Sequence, residues 1–288
     1  MYNKSYIKTY FVKKKKEIDE VLDRFLPSGP DTISQAMRYS VFPGGKRLRP
    51  VLALAAVEIF RDIDERDLIV SSAIELIHSF TLVHDDLPGM DNDDYRRGKP
   101  ATHKVFGEGV SITIGDILLN QAFELIVKDY IVKKGDPSEC IRILREICEA
   151  IGIRGVFGGQ VKDIQSENKK LQLSTLEKIY NDKTGSLISS SVRIGGILGG
   201  ANRRELGLLT AYGRDIGLSF QIMDDVLEYE DDKGGIHTLK KPNYVSLAGV
   251  KSARKKALEK IIEAKKNLSI FGKRGDILKR IADYIIYR

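Results

Sequence analysis

Apolar positions recur every three or four residues along most of the chain. Ile18, Val21, Leu22, Phe25 and Leu26 form one such stripe, and Pro27 with Gly29 ends it. Ala73, Leu76, Ile77, Phe80 and Val83 mark one face of another helix. An alanine-rich apolar run covers residues 51–60, with Pro50 where a first helical turn needs no N–H. Residues 118–130, 140–151, 206–227 and 251–268 carry the same period. Alternating strand patterns bounded by hairpin turns are scarce, and there is neither an internal repeat nor a low-complexity linker. The pattern predicts an all-α protein, folded as a single domain over residues 1–288.

Composition agrees with that picture. Of the 288 residues 42% are apolar, ample for a buried core, and the absence of Trp and the 8 Pro suit long helices. No uncharged apolar run approaches the roughly 20 residues of a membrane helix. The first residues lack the apolar core of a signal peptide. Both points predict a cytoplasmic chain without stable membrane insertion. Cys140 and Cys148 have neither a CxxC neighbour nor a histidine cluster, and read as reduced structural residues. The net charge of +7 raises the question of nucleic acid. Yet Lys13–Lys16, Lys255–Lys256 and Lys265–Lys266 lie along amphipathic surfaces, as solvated helix faces do. Small polyanions are the better partner.

Two aspartate clusters carry the chemistry. The first, Asp85-Asp86-Leu-Pro-Gly-Met-Asp91, follows a strongly apolar helix. Residues six apart lie on different faces of an ideal helix. Pro88-Gly89 lets two residues loop out, so that Asp91 returns near the i+4 direction from Asp85. The second, Asp224-Asp225-Val-Leu-Glu228, ends another helix and places Asp224 and Glu228 on one face. Carboxylates gathered this way repel one another without a cation, and such oxygen ligands suit Mg²⁺. An EF-hand is excluded, because Asp91 is followed by no Gly at the sixth loop position and no Glu at the twelfth. Arg96, Arg97 and Gly44-Gly-Lys-Arg-Leu-Arg49 add forks for phosphate oxygens and a backbone that approaches ligand closely. Together these features describe a ligand with a diphosphate head and a hydrocarbon tail.

From about Met37 to Ala264 the chain resembles the trans-isoprenyl diphosphate synthases, and within them the bacterial farnesyl diphosphate synthase type. The resemblance rests on Gly44–Pro50, Ile77–Asp91, Arg96–Pro100, Gly158-Gly-Gln-Val-Lys-Asp163, Lys183-Thr-Gly185 and Phe220-Gln-Ile-Met-Asp-Asp225. It implies a helical bundle around a deep apolar cavity. It also implies a transferase that joins dimethylallyl or geranyl diphosphate to isopentenyl diphosphate. By the same resemblance, Lys46, Arg49, His78 and Arg97 hold isopentenyl diphosphate. Asp85, Asp91 and Asp224 ligate three Mg²⁺, with Asp86, Asp225 and Glu228 acting through water. Arg96, Lys183, Gln221 and Lys241 contact the allylic diphosphate, and the oxygens of Thr184 and Gln221 face the allylic cation. An aromatic residue at Phe80, beside Thr81 and ahead of a two-residue insertion, is the pattern of a fifteen-carbon product. A homodimer is expected.

The chain departs from that family over residues 229–244, which run several residues short. Lys240 or Lys241 replaces one family lysine, Lys233 another, and one aspartate has no counterpart. Glu228 stands where the family has Asp. The shortened segment leaves open a non-catalytic subunit of a hetero-oligomeric synthase. A geranylgeranyl diphosphate synthase is a further alternative, and a helical nucleic-acid-binding protein is suggested by charge alone.

Overall fold

The computed structural model describes residues 4–42, 44–231 and 241–287. Its helices are α1 (Lys4–Phe25), α2 (Thr32–Val41), α3 (Leu48–Val57), α4 (Glu65–Asp85), α5 (Thr102–Phe106), α6 (Glu108–Val132) and α7 (Pro137–Ile151). They continue with α8 (Val156–Ile164), α9 (Leu173–Tyr180), α10 (Ser186–Leu198), α11 (Arg203–Asp231), α12 (Tyr244–Ala248), α13 (Val250–Asn267) and α14 (Asp276–Tyr287). A π-helical turn, Asn181–Gly185, joins α9 to α10, and a 3-10 segment, Ser269–Gly275, joins α13 to α14. Two short strands, β1 (Tyr95–Arg96) and β2 (Lys99–Pro100), pair antiparallel. The all-α expectation holds, and the small hairpin is what the apolar period missed.

Local chemistry explains the helix ends. Asp64 and Asp67 form a reciprocal capping box at the start of α4, each carboxylate accepting from the other's backbone N–H at 3.1 and 2.8 Å. Asn243 and Ser246 do the same for α12. The run around Pro50 starts earlier than its composition suggests, at Leu48, so the proline falls in the first turn, where the N–H has no helical partner.

The described residues gather into two compact units. The first comprises Lys8–Leu54 and Ile63–Ile141; the second comprises Ala55–Asp62 and Arg142–Arg288, with the start of the chain.

In the first unit α4 is buried on nearly every side and packs along α6. The five-residue stripe expected from periodicity is therefore only part of its buried surface. Among the described residues α6 is the one helix long and apolar enough to cross a membrane by length and composition. It buries Ile114, Leu118, Ala122, Leu125 and Ile126 within its unit, as a core helix does. Arg47 is the largest buried cation of this unit. Its guanidinium donates to Asp19 at 2.8 Å, to Glu75 at 2.9 Å and to the Val41 carbonyl at 2.8 Å. It thereby anchors the loop Gly44–Arg49 from beneath.

In the second unit α11 packs against α10 and α13. Leu218, Ile222, Met223 and Val226 of α11 form a core with Tyr180, Tyr244 and Ala257. The Tyr212 hydroxyl, fully enclosed, donates to the Leu278 carbonyl at 2.7 Å and ties α14 to the same helix.

Removing one partner of a buried ion pair leaves the other uncompensated. Arg47→Ala strands Glu75, which is 1% exposed. We expect a loss of about 3–5 kcal/mol in urea unfolding. A loss below about 1 kcal/mol would show that Arg47 does not anchor this unit.

Candidate active site

In the first unit the chain leaves α4 at Asp86 and doubles back. The Asp91 amide donates to the Asp85 carbonyl at 2.9 Å, across six residues. Met90 and Asn92 both donate to the Leu87 carbonyl, and Pro88 and Gly89 are pushed into solvent. The excursion brings the backbones of Asp85 and Asp91 together, with both side chains half-buried.

Asp86 points the other way and is buried. It accepts from Arg96 Nε at 2.8 Å and also from Arg96 Nη2. Burial raises its carboxyl pKa, and the bonds and charge of Arg96 pull in the opposite direction. Arg96 also reaches Asp93 at 2.8 Å. The hairpin explains how two consecutive arginines separate. Arg97 and Gly98 both have positive φ, 54° and 76°, as a tight two-residue hairpin turn requires. Arg96 is thus left on β1 facing Asp86, while Arg97 turns away and donates to the Gly44 carbonyl at 2.8 Å.

Arg97 lies over Gly45 so closely that a Cβ there would stand 2.7 Å from its guanidinium. Gly45 also has φ +98°, which side chains rarely adopt. Of the neighbouring bases, Lys46 is exposed and Arg49 half-buried, whereas Arg47 is turned into the core. His78, on α4, completes the group. Its Nδ1 is buried and meets no hydrogen-bond partner among the described residues. Burial, reinforced by Arg49, Arg97, Arg47 and Arg96, holds its pKa well below the ordinary value. It is a neutral imidazole among cations, a setting that favours an anionic ligand. One turn further along α4, Phe80 is buried and packs edge-on against His84, with ring centroids 4.8 Å apart. Thr81 is partly exposed and spends its hydroxyl proton on the His78 carbonyl at 2.8 Å.

The second unit builds its part around the π turn. Lys183 Nζ lies 2.8 Å from Asp163 Oδ2, and Lys241 Nζ lies 3.2 Å from the same oxygen. One carboxylate holds two ammonium groups side by side. Thr184 donates to Gln221 Oε1 at 2.9 Å. Asp225 is buried, accepting from the Tyr180 hydroxyl at 2.5 Å and the Tyr244 amide at 2.8 Å. Burial outweighs those bonds and pushes its carboxyl up to about 6. Asp224 is half-buried and Glu228 exposed one turn later on α11. Lys233 and Lys240, expected to stand in for family lysines, lie outside the described residues.

Sequence reasoning assigned no role to Asp163, Tyr180 or Tyr244. Asp163 stands in a quoted motif, but its partners are 20 and 78 residues away. No spacing rule connects them.

The donor set suits magnesium. Among the described residues no three His, Cys, Asp or Glu are gathered tightly enough to enclose a metal by themselves. Small groups of carboxylates at helix ends match an ion that keeps waters and takes further oxygens from a substrate phosphate.

All-helical units, aspartate pairs at helix ends and cationic loops define a diphosphate-handling transferase. The chain belongs to the polyprenyl synthetase family, whose model matches residues 30–269 and so extends into both units. It is 41% identical to a dimethylallyltranstransferase of Fischerella ambigua, over 97% of this chain and 83% of that one. It is 40% identical to a chloroplastic geranylgeranyl pyrophosphate synthase of Capsicum annuum, over 98% and 78%. A solved apo FPP/GFPP synthase from Zymomonas mobilis superposes with a TM-score of 0.88 at 37% identity, covering 98% of this chain and 99% of that one. The protein is a trans-prenyltransferase of the farnesyl and geranylgeranyl synthase kind, and this family generally depends on magnesium.

His78 makes one part of this site measurable through pH. It is neutral when folded and takes a proton near pH 6.5 when unfolded. The unfolded state then binds more protons, so stability falls as pH drops below about 6.5, by up to about 1.4 kcal/mol per pH unit. Urea unfolding at pH 7.5 and 5.5 should show a smaller acid loss in His78→Gln than in the parent. Equal losses would mean that His78 is not held neutral.

Proposed function

We propose that this chain condenses dimethylallyl and geranyl diphosphate with isopentenyl diphosphate and releases chiefly farnesyl diphosphate. The reading is carried by Asp91 closing onto Asp85, which gathers two carboxylates beside a cluster of cations around a neutral histidine. Lys46, Arg49, His78 and Arg97 hold the isopentenyl diphosphate, and the bond from Arg97 to Gly44 fixes the angle of that fork. Asp85, Asp91 and Asp224 would hold three Mg²⁺, and Asp86, Asp225 and Glu228 support them indirectly. When bound, those ions neutralise charge that develops on the departing diphosphate.

Arg96, Lys183, Lys241 and Gln221 orient the allylic diphosphate. Its carbon–oxygen bond breaks, the isopentenyl double bond attacks the allylic carbon, and the released diphosphate takes the surplus proton. Oxygens of Thr184 and Gln221 soften the positive carbon as it forms. No protein nucleophile is required, because preorganised charge supplies the stabilisation.

Asp85→Ala or Asp224→Ala should each lower kcat by about 10²–10³-fold with the circular dichroism unchanged. Chelator should abolish turnover. Undiminished rates in either variant would contradict the metal assignment. The parent acting alone also separates an enzyme from a non-catalytic subunit, since the latter gives no product without a partner.

Chain length depends on Phe80. Five residues ahead of Asp85, its ring lies roughly 7–8 Å along α4 at the usual rise. A packed aromatic resists added methylenes. Phe80→Ala should shift products from fifteen toward twenty or more carbons in chromatography of the dephosphorylated alcohols. An unchanged spectrum, or a parent that already makes mainly geranylgeranyl diphosphate, would remove Phe80 as the floor.

We also place the protein in the cytoplasm, as one synthase domain per chain and as a homodimer. Ile112, Val127, Ile131 and Val132 of α6 and Ile141 of α7 are exposed, Ile131 by 71%. Such a surface favours a two-fold partner copy. Light scattering at micromolar concentration should give about twice the chain mass, and a monomer there would refute the assembly.

A further inference from the structure

Gln160 is 7% exposed, and neither Nε2 nor Oε1 has a hydrogen-bond partner. Among the described residues, every other buried side-chain atom in that condition belongs to the first unit. A buried amide with both ends unmet bears its full desolvation cost, and native structures seldom leave one so without a reason.

Its position suggests the reason. Gln160 is on α8 one turn before Asp163, on the same face of the helix. Asp163 is the carboxylate that holds Lys183 and Lys241 together. The preceding residue, Gly159, lies so close to the π turn that a Cβ would meet the Lys183 amide nitrogen at 2.3 Å. α8 is thereby seated directly on the turn that carries Lys183 and Thr184. π turns of this kind interrupt helices mostly at functional sites.

We propose that Gln160 is a further binding residue of the allylic half-site, whose amide gains its partners when the allylic diphosphate enters against Lys183. The N–H group donates to a diphosphate oxygen, and the carbonyl accepts from water carried on the ligand. This rests on the assignment of Lys183 and Lys241 to the allylic diphosphate. Gln160 takes no proton and forms no bond; it selects and orients.

Gln160→Met keeps the length and helical preference of the side chain and removes both polar atoms. Were the amide merely enclosed, this exchange would be neutral or stabilising and leave kinetics alone. As a ligand contact, it should raise KM for geranyl diphosphate about 10- to 100-fold, leave KM for isopentenyl diphosphate within about twofold, and not lower Tm. Binding without turnover is read separately, as the rise in Tm on adding geranyl diphosphate and Mg²⁺ with no isopentenyl diphosphate. That rise should shrink in Gln160→Met and vanish in Gln160→Glu, whose charge repels diphosphate. Gln160→Glu also stands in should the Met variant fail to fold. Unchanged allylic KM and Tm rise in a folded variant overturn the proposal, as does a lowered Tm with allylic binding intact. If the parent itself shows no rise, the allylic assignment fails, and this inference with it. A parent that binds but a variant that binds equally well sinks the inference alone.

Discussion

Arg47 is held by a constraint that shapes the first unit: a buried guanidinium must have its charge and its donors met on every side. Asp19, Glu75 and the Val41 carbonyl meet them, and each comes from a different part of the chain. The segment Gly44–Arg49 is therefore pulled down at its middle, which leaves Lys46 and Arg49 flanking a fixed point. Gly45 can then lie flat beneath Arg97, whose own guanidinium is caught by the Gly44 carbonyl. Three basic residues close in sequence so acquire different tasks, one as an anchor and two as candidate phosphate ligands. The neutrality of His78 follows from the same grouping, since burial and four nearby arginines disfavour a further positive charge.

The second unit solves the converse problem, keeping carboxylates apart in function while close in sequence. Asp224 and Asp225 are adjacent, yet only Asp225 is drawn into the core by Tyr180 and the Tyr244 amide. Asp163 gathers Lys183 and Lys241, so that cations otherwise repelling one another are presented together. The π turn makes this possible. It widens the helix between Tyr180 and Ser186, so Tyr180 faces Asp225 while Lys183 and Thr184 face Asp163 and Gln221. The first unit follows the same logic at Asp85 and Asp86, where Arg96 takes the buried member of the pair.

Much of this was legible in the chain itself, for physical reasons. A 3.6-residue apolar period is a local property, so residues 118–130 and 206–227 announced α6 and α11 with only their ends misjudged. Pro88-Gly89 marked the excursion that closes Asp91 onto Asp85, because proline ends a helix wherever it stands. The motif residues likewise marked the family, through residue types that only diphosphate chemistry brings together. What the chain could not disclose is which member of each pair turns inward. Arg47 against Arg49, Asp86 against Asp85 and Asp225 against Asp224 look alike in sequence. They are separated only by partners 10 to 45 residues away, such as Glu75, Arg96 and Tyr180. Burial of charge and completion of hydrogen bonds are non-local, so the tertiary structure alone decided those assignments, along with the unmet amide of Gln160.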